Sequence, residues 1–263
     1  MIPAWQLALS FAIALSIGAG VGTAVEELRW MRRRGRLTRA AVREMWLSLS
    51  SLPPNVVVSI VLAGAWLGLY EAVSALTPLH IDTGLLTLLP ALLLADFCYY
   101  LEHRAAHRWG VLWMMYHAVH HSSPDYTVAT AYRVSFVNQL VAPLFYLPCV
   151  LAGFEPLLVV GLQVFAIHYQ AWVHTRAIGA LPILDAVFNT PANHRMHHDY
   201  ACSARGVNFG GVFVLWDRLF GTYSSPRPVR AFGIAGGTTP SNWRELYTAP
   251  FAASRAERPP AIR

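Results

Sequence analysis

The sequence predicts an all-α integral membrane protein in which four or five membrane-spanning helices carry a histidine-rich helical cap on the cytoplasmic side. Two observations support this fold class. The chain has 263 residues, of which 55% are hydrophobic and only 13% charged, and its mean hydropathy is +0.40. That composition is too apolar for a typical soluble domain. The chain also contains a series of apolar runs, each close to the ~20 residues that a helix needs to span a bilayer.

Five apolar runs are candidates for these helices. They lie at about residues 3–25, 55–76, 84–101, 136–153 and 156–173. The first run lacks a basic region before it and a small-residue cleavage site after it, so we interpret it as a retained helix rather than a signal peptide. Its Gly18 and Gly22 have the spacing of close helix packing in lipid. Only the four residues "GFEP" separate the last two runs, so these two runs either cross the membrane separately or form a re-entrant hairpin. The predicted number of spanning helices is therefore four or five.

The distribution of arginine predicts the orientation. Seven arginines lie between residues 29 and 43, and the positive-inside rule assigns such a density to the cytoplasm. Counting crossings from there places the N-terminus outside and both histidine-bearing regions, after residues 101 and 173, in the cytoplasm. The predicted outside loops, 77–84 and 153–156, contain no arginine, which agrees with this assignment.

Charge and cysteine content narrow the class further. The net charge of +6 comes from 20 basic residues that are all arginine, a usage typical of GC-rich bacterial genomes, so we predict a bacterial inner membrane protein. Basic residues beside membrane helices more often contact anionic headgroups, so nucleic-acid binding is a poor interpretation of the charge. The three cysteines are widely spaced and indicate neither a disulfide framework nor a cysteine metal site.

Ten of the eleven histidines fall between residues 103 and 198, in the four groups "HRAAH", "HAVHH", "HYQAWVH" and "HRMHH". Residues three or four apart project from one face of a helix, so a group can present two or three imidazoles to a common point. Several neutral imidazoles packed together would need many hydrogen-bond partners, and a metal ion supplies the missing partner. The isolated His80 we interpret as an ordinary polar residue.

The number of histidines predicts two metal ions. Donor type does not choose the metal, because imidazole suits zinc, copper, iron and nickel. A single zinc takes four ligands, or three and a water, whereas about nine histidines would crowd one ion. A zinc protease is a poor fit, because "HRAAH" has Arg104 where the HExxH motif has its glutamate.

The three boxes "HRAAH", "HAVHH" and "HRMHH" resemble those of the fatty acid hydroxylase and sterol desaturase superfamily, which are membrane non-haem di-iron oxidoreductases. The surrounding "ADFCYYLEHRAAH", "LWMMYHAVHHSS", "FNTPANHRMHHD" and "NFGGVFVLWDRLFGTY" look most like its alkylglycerol monooxygenase branch. The resemblance implies a catalytic domain at 95–223, preceded by membrane helices and a basic linker at 1–94. Residues 224–263 are predicted to form a partly disordered tail.

The resemblance implies nine metal ligands. They are His103, His107, His117, His120, His121, His174, His194, His197 and His198. Some relatives have a further HxxxH pair in the fourth group, but here Gln170 stands four residues before His174. We expect Gln170 to line the site. His168 lies six residues before His174 and is turned about 240° away on a helix, so we expect it to pack or to support a ligand from behind.

Three further positions are candidates for supporting roles. Asp96 lies two helical turns before His103 and is predicted to accept the free N–H of a ligating imidazole. The alternative is that it caps a helix or pairs with Arg104 or Arg108. Asn208 is predicted to support the site through its amide. Asp217 and Arg218 are interpreted as a structural pair that holds the cap together.

The resemblance implies an enzyme that uses O2 to hydroxylate or desaturate a C–H bond of a lipid or sterol-like substrate, or to cleave an ether lipid. Two irons are implied, although zinc is expected to enter the same sites during purification. The sequence has no flavin or nicotinamide fingerprint, so electrons are expected from a donor protein or a reduced pterin. The rival class is a metal-ion transporter or a metal-binding membrane protein without oxygenase activity. Transport sites lie near the bilayer midplane, whereas these boxes lie at helix ends on one side.

Overall fold

The computed structural model describes residues 2–200, 206–229, 231–234 and 239–253. These residues are helical or irregular, and their only β-type pairing is an isolated antiparallel bridge between Phe188 and Phe213. The all-α prediction is therefore confirmed. Cys202 and residues 254–263, where a disordered tail was predicted, lie outside the described residues.

Four helices in the described chain are long and apolar enough to cross a membrane. These are α1 (Ala4–Arg33), α3 (Leu52–Ser74), α4 (Leu85–Arg108) and α9 (Pro156–Val173). A shorter helix, α2 (Arg39–Leu49), leads into α3 through a two-residue turn, and the two count as one span. Pro156 begins α9 because its fixed φ suits the first helical position and it needs no N–H partner there. Helix α4 continues two turns beyond its apolar run and so carries the first histidine box out of the span.

The predicted run at 136–153 does not form one spanning helix. It consists of α7 (Asn138–Val141), a 3-10 turn (Ala142–Tyr146) and α8 (Leu147–Leu151). Pro143 and Pro148 interrupt it, because proline lacks the N–H that an interior helical position donates. A regular α-helix over Asn138–Leu151 would be only about 21 Å long, short of the ~30 Å hydrocarbon core.

This broken segment nevertheless runs parallel to α3 along the whole length of that helix. Four side chains on or just after α3 donate to its backbone carbonyls: Asn55 to Val134 (2.7 Å), Trp66 to Gln139 (3.0 Å), Tyr70 to Pro143 (2.7 Å) and Thr77 to Leu151 (3.0 Å). The amide of Ile81, just before α4, donates to the carbonyl of Gly153 (2.9 Å). Helices α4 and α9 therefore begin at the same end of the molecule, and both end at the cap.

Helix α1 packs along α9 through small residues. A Cβ added to Gly20 would lie 3.1 Å from Ala171 Cβ, and one added to Gly161 of α9 would lie 2.6 Å from Leu9 Cδ2. Gly18 and Gly22, the predicted packing pair, have no atom within 4 Å of an added Cβ. That prediction was wrong because Gly20, two residues from each, lies about 200° round the helix and takes the contact face.

The core lies between α1, α3, α4, α8 and α9 and includes Trp5, Tyr70, Ala95 and Leu158. Cys98 and Cys149 are buried in this core as free thiols. The cap is built from short elements at the ends of α4 and α9. They are α5 (Gly110–Leu112), a π-helical turn (Trp113–His117), α6 (Ala118–His121), a 3-10 turn (Val128–Tyr132), α10 (Pro182–Asp185), α11 (Pro191–His197), α12 (Leu215–Leu219) and α13 (Trp243–Ala253).

Candidate metal centre

Nine histidines meet where α4 and α9 end and the cap begins, and they form two groups. The five-histidine group comprises His103, His107, His117, His121 and His197. The four-histidine group comprises His120, His174, His194 and His198. Within each group, one ligand atom from every member lies within 4.8 Å of those of all the others. The four sequence groups, which span nearly a hundred residues, are thus gathered into two adjacent sites.

The ring nitrogens are spaced as ligands of a metal ion would be. Six pairs of Nε2 atoms are close: His103–His117 (3.1 Å), His107–His117 (2.9 Å), His117–His121 (3.2 Å), His121–His197 (3.0 Å), His120–His174 (3.2 Å) and His174–His194 (3.0 Å). Metal–nitrogen bonds of about 2.1 Å at roughly right or tetrahedral angles place neighbouring donor atoms about 3.0–3.4 Å apart.

Backbone carbonyls fix the protonation of three rings. His103 Nδ1 donates to the carbonyl of Phe209 (2.9 Å), and His197 Nδ1 donates to that of Val207 (2.8 Å). His174 Nδ1 donates to the carbonyl of Gln170 (2.6 Å). Because a carbonyl can only accept, each Nδ1 carries the hydrogen, and each Nε2 presents a lone pair to its group. This is the arrangement by which metal-binding histidines are oriented.

Hydrogen bonds alone cannot satisfy the groups. His117 Nε2 lies within 3.2 Å of three other Nε2 atoms but carries at most one hydrogen. His198 Nε2 is buried and has no hydrogen-bond partner among the described residues. Burial is the main cause that lowers the pKa of His117 and His198, and neighbouring histidines lower it further. Neutral imidazoles with converging lone pairs fit a metal cation.

The segment 207–211 orients two members of the five-histidine group. The carbonyl of Val207 accepts from His197, and that of Phe209 accepts from His103. Asn208 adopts a left-handed conformation (φ 53°), and its amide donates to the carbonyls of Asn193 and Ser224 (both 2.9 Å). The Asn208 side chain therefore joins α11 to the chain after α12. The histidines are contacted instead by the backbone carbonyls of its two neighbours, Val207 and Phe209.

Asp217, at 0% exposure, fixes the same segment by accepting from the amides of Phe209 (2.8 Å) and Gly210 (2.7 Å). Burial raises the pKa of its carboxyl, and the bonds that it accepts oppose this. Arg218 instead stacks over the ring of Tyr223, 4.0 Å from its centroid. The predicted Asp217–Arg218 pair was therefore wrong, although both residues tie the cap together.

Asp96 also binds backbone rather than an imidazole. Its carboxylate accepts from the amides of Val212 (2.6 Å) and Phe213 (3.3 Å) and from the indole of Trp216 (3.1 Å). These contacts correct the predicted imidazole partner and the predicted arginine partner, and the two amides precede α12, so Asp96 is not a helix cap either. Seven residues of helix separate Asp96 from His103 by about 10 Å, which is beyond the reach of a carboxylate.

Gln170 is buried on α9 and donates from Nε2 to the carbonyl of Gly211 (2.7 Å). Its Oε1 is buried without a hydrogen-bond partner among the described residues. His168 is half-buried, lies near the carbonyl of Val164 (Nδ1–O 2.7 Å) and belongs to neither histidine group. His80 is exposed in the loop at the opposite end of α4.

Sequence reasoning missed two supporting residues. Asn189 donates to the carbonyl of Gly210 (2.6 Å) and lies 3.4 Å from His194 Nδ1, and its place in "FNTPANHRMHH" was a usable signal. Arg133 is fully buried, pairs with Glu44 and donates to the carbonyl of Val119 (3.2 Å), so it holds the second box. No spacing or motif marks Arg133.

The fold and the site together define a class: a helical protein with four apolar helices of spanning length and two adjacent histidine sites at one end. The family model of fatty acid hydroxylases matches residues 88–222, about half of the chain. The chain belongs to the fatty acid hydroxylase family, and the resemblance stated from its histidine boxes is confirmed.

Three relatives illustrate the range of the family. The chain is 37% identical over 152 residues to alkylglycerol monooxygenase of Xenopus tropicalis, covering 58% of this chain and 33% of that protein. It is 32% identical over 148 residues to an ornithine lipid hydroxylase of Rhizobium tropici (55% and 44%). It is 31% identical over 136 residues to a Delta(7)-sterol 5(6)-desaturase of Eremothecium gossypii (51% and 36%). The chain thus spans about a third to less than half of these relatives. No solved structure matches it.

Proposed function

We propose that this chain is a membrane oxidoreductase that uses O2 to hydroxylate or desaturate a C–H bond of a lipid or sterol-like substrate. Cleavage of an ether lipid is a third outcome of the same chemistry. The observation that supports this best is the gathering of nine histidines into groups of five and four with converging ring nitrogens. Relatives named monooxygenase, hydroxylase and desaturase add support, and residues 95–223 are the proposed catalytic domain.

Each histidine group would hold one iron ion. An iron pair held there would activate dioxygen, which is required to attack an unactivated C–H bond. The donor set fits, because imidazole suits iron and the carbonyl-bound rings of His103, His174 and His197 present lone pairs. Imidazole sites bind zinc at least as well, so zinc in purified protein would not contradict the proposal.

The protein's own contribution is orientation and the exclusion of water. Carbonyls of Val207, Phe209 and Gln170 keep three imidazoles in one tautomer. Burial lowers the pKa of His120 to about 4, which keeps this ring neutral and able to bind a cation at neutral pH. The histidine groups lie where α4 and α9 leave the apolar layer, so a lipid chain can approach from the bilayer.

Electrons would come from outside the chain, through a donor protein or a reduced pterin. We place the protein in a bacterial inner membrane with the histidine groups toward the cytoplasm, as the arginines between residues 29 and 43 predict. Both groups lie at one end of the spans. This disfavours a metal-ion transporter, whose site needs access from both faces near the midplane.

The test is oxygen consumption by the purified full chain, loaded with ferrous iron and supplied with lipid extract and a reductant. We expect consumption with a lipid product that is 16 mass units heavier (hydroxylated) or 2 lighter (desaturated), or the fragments of a cleaved ether lipid. His174→Ala should abolish it, whereas the exposed His80→Ala should not. Activity that zinc restores and ferrous iron never restores would contradict the proposal.

A further inference from the structure

A cavity of about 490 Å³ lies beside α11 and apart from the two histidine groups. The residues that line it and matter here are Trp30, Arg36, Arg176, Arg195, Arg227 and Phe232. They come from the end of α1, the chain after α9, α11 and the chain after α12. We call this the arginine cavity, because four guanidinium groups from distant parts of the sequence meet in it.

Two of the four guanidinium groups have carboxylate partners. Arg176 pairs with Asp125 (2.9 Å), and Arg227 lies 3.8 Å from Asp199. Arg195 donates to two neutral carbonyls instead, those of Thr175 and Ile178 (both 2.7 Å).

Within the described chain, neither Arg36 nor Arg195 forms a salt bridge. The described lining of the cavity therefore holds more positive than negative groups: it has four guanidinium groups and no carboxylate, and two of the four have no salt-bridge partner. Such an excess in a half-enclosed space favours an anionic ligand, and guanidinium suits oxyanions because of its planar fork of donors.

One of the arginines that line the cavity also has a donor without an acceptor. Arg176 Nε is buried and has no hydrogen-bond partner among the described residues. The guanidinium carbon of Arg176 lies 5.9 Å from the ring centroid of Trp30 and 5.8 Å from that of Phe232, and Arg36 lies 5.8 Å from Trp30. Aromatic faces attract cations at such distances. Two of the cavity's arginines are thus held in place by its aromatic walls.

The position of the cavity indicates which anion it meets. Trp30 lies in the last turn of α1, five residues beyond the end of the apolar run at about residue 25, so the cavity is at headgroup depth. Phosphate esters of lipids are the oxyanions at that depth. Phe232 stacks on Tyr126 (4.8 Å between centroids), and Tyr126 contacts His198 (4.9 Å). Two stacked aromatic rings, Phe232 and Tyr126, therefore lie between the cavity and the four-histidine group.

We propose that the arginine cavity binds the phosphate ester headgroup of a membrane lipid. Helix α11 carries Arg195 on the cavity and His194 and His197 in the two groups, so a bound headgroup lies about one helix diameter, ~10 Å, from the histidines. Resting on the proposed function, this names the substrate class as phospholipids that are oxidised near the headgroup.

The test is equilibrium binding to the purified full chain in an uncharged detergent. The probes are dioctanoyl phosphatidic acid, dioctanoyl glycerol and inorganic phosphate. We expect the phosphatidic acid to bind and the other two to bind at least tenfold more weakly. Arg36→Gln should weaken its binding about fivefold, and Arg36→Gln with Arg176→Gln about 25-fold, because an arginine near an anionic lipid contributes about a factor of five. Arg195 is left intact because it holds the chain after His174.

The matched control is Arg32→Gln with Arg33→Gln, which removes two exposed arginines from the same end of α1 but none from the cavity. It should change binding by less than twofold. Equal binding of dioctanoyl glycerol, or equal loss in the control, would overturn the proposal. Displacement by inorganic phosphate at the same concentration as the lipid would overturn the headgroup assignment. Bound iron is measured on the same samples, so a failure of the metal centre is recognised separately.

Discussion

Asp217→Asn should weaken one metal site and spare the other. Asp217 accepts from the amides of Phe209 and Gly210, and the carbonyl of Phe209 orients His103. An asparagine keeps one acceptor, but its NH2 group then faces a backbone N–H. The loss of a hydrogen bond to a charged acceptor costs about 1.5–3 kcal/mol, which corresponds to roughly 10–100-fold in an equilibrium constant.

The affinity of the five-histidine group for its metal should therefore fall roughly 10–100-fold, the range found when the partners of metal-binding residues are changed. The four-histidine group should keep its affinity, because His174 is oriented by Gln170 and not by this segment. A chelator titration of the iron-loaded chain, with bound iron measured at each step, should show one of two ions leaving at a lower chelator concentration.

Arg218→Gln is the matched control, because Arg218 is adjacent but stacks over Tyr223. It should leave the titration unchanged. The reasoning is refuted if both ions leave together in Asp217→Asn, or if its titration is the same as that of the unchanged protein.

Three further predictions concern separate parts of the molecule. Gln170→Ala should lower the turnover of O2 more than bound iron, and His168→Ala should keep both. Loss of iron in His168→Ala would show that the ligand in "HYQAWVH" was wrongly assigned to His174. The metal-free chain should lose stability as pH falls from about 6.5 to 4. Because the folded-state pKa of His120 is lowered to about 4, the unfolded chain binds a proton at this residue in that pH range and the folded chain does not. The free energy of unfolding should therefore fall by about 1.4 kcal/mol per pH unit from this group. Thermal unfolding between pH 4 and 8 measures this, and a flat profile would refute it. A cysteine at position 80 should react with an impermeant thiol reagent from outside the cell and one at position 32 only from inside, and the reverse pattern would invert the topology.

The sequence predicted the histidine set and the spanning helices because both depend on local periodicity. Spacings of three and four residues place ligands on one helical face wherever the helix lies, so His117, His120 and His121 could be recognised without the fold. Spanning length follows from hydropathy in the same way. The run at 136–153 was predicted to be one spanning helix because its hydropathy is high. Hydropathy does not take into account that Pro143 and Pro148 interrupt a helix.

The supporting contacts could not be predicted because they join distant parts of the chain. Asp96 meets Val212 across 116 positions, and Arg133 meets Glu44 across 89. Helical phase gave Asp96 the correct face but not its partner. The division of nine histidines between two groups was also hidden. Neighbouring His120 and His121 belong to different groups, which the spacing of "HAVHH" does not reveal.

The central claim is that the two histidine groups bind two irons that act together on O2. The most direct measurement is an anaerobic titration of the metal-stripped full chain with ferrous iron, followed by O2 consumption with lipid at each step. We predict two irons bound per chain, with O2 consumption appearing only as the second iron binds. Saturation at one iron per chain, or full O2 consumption at one, would contradict the account.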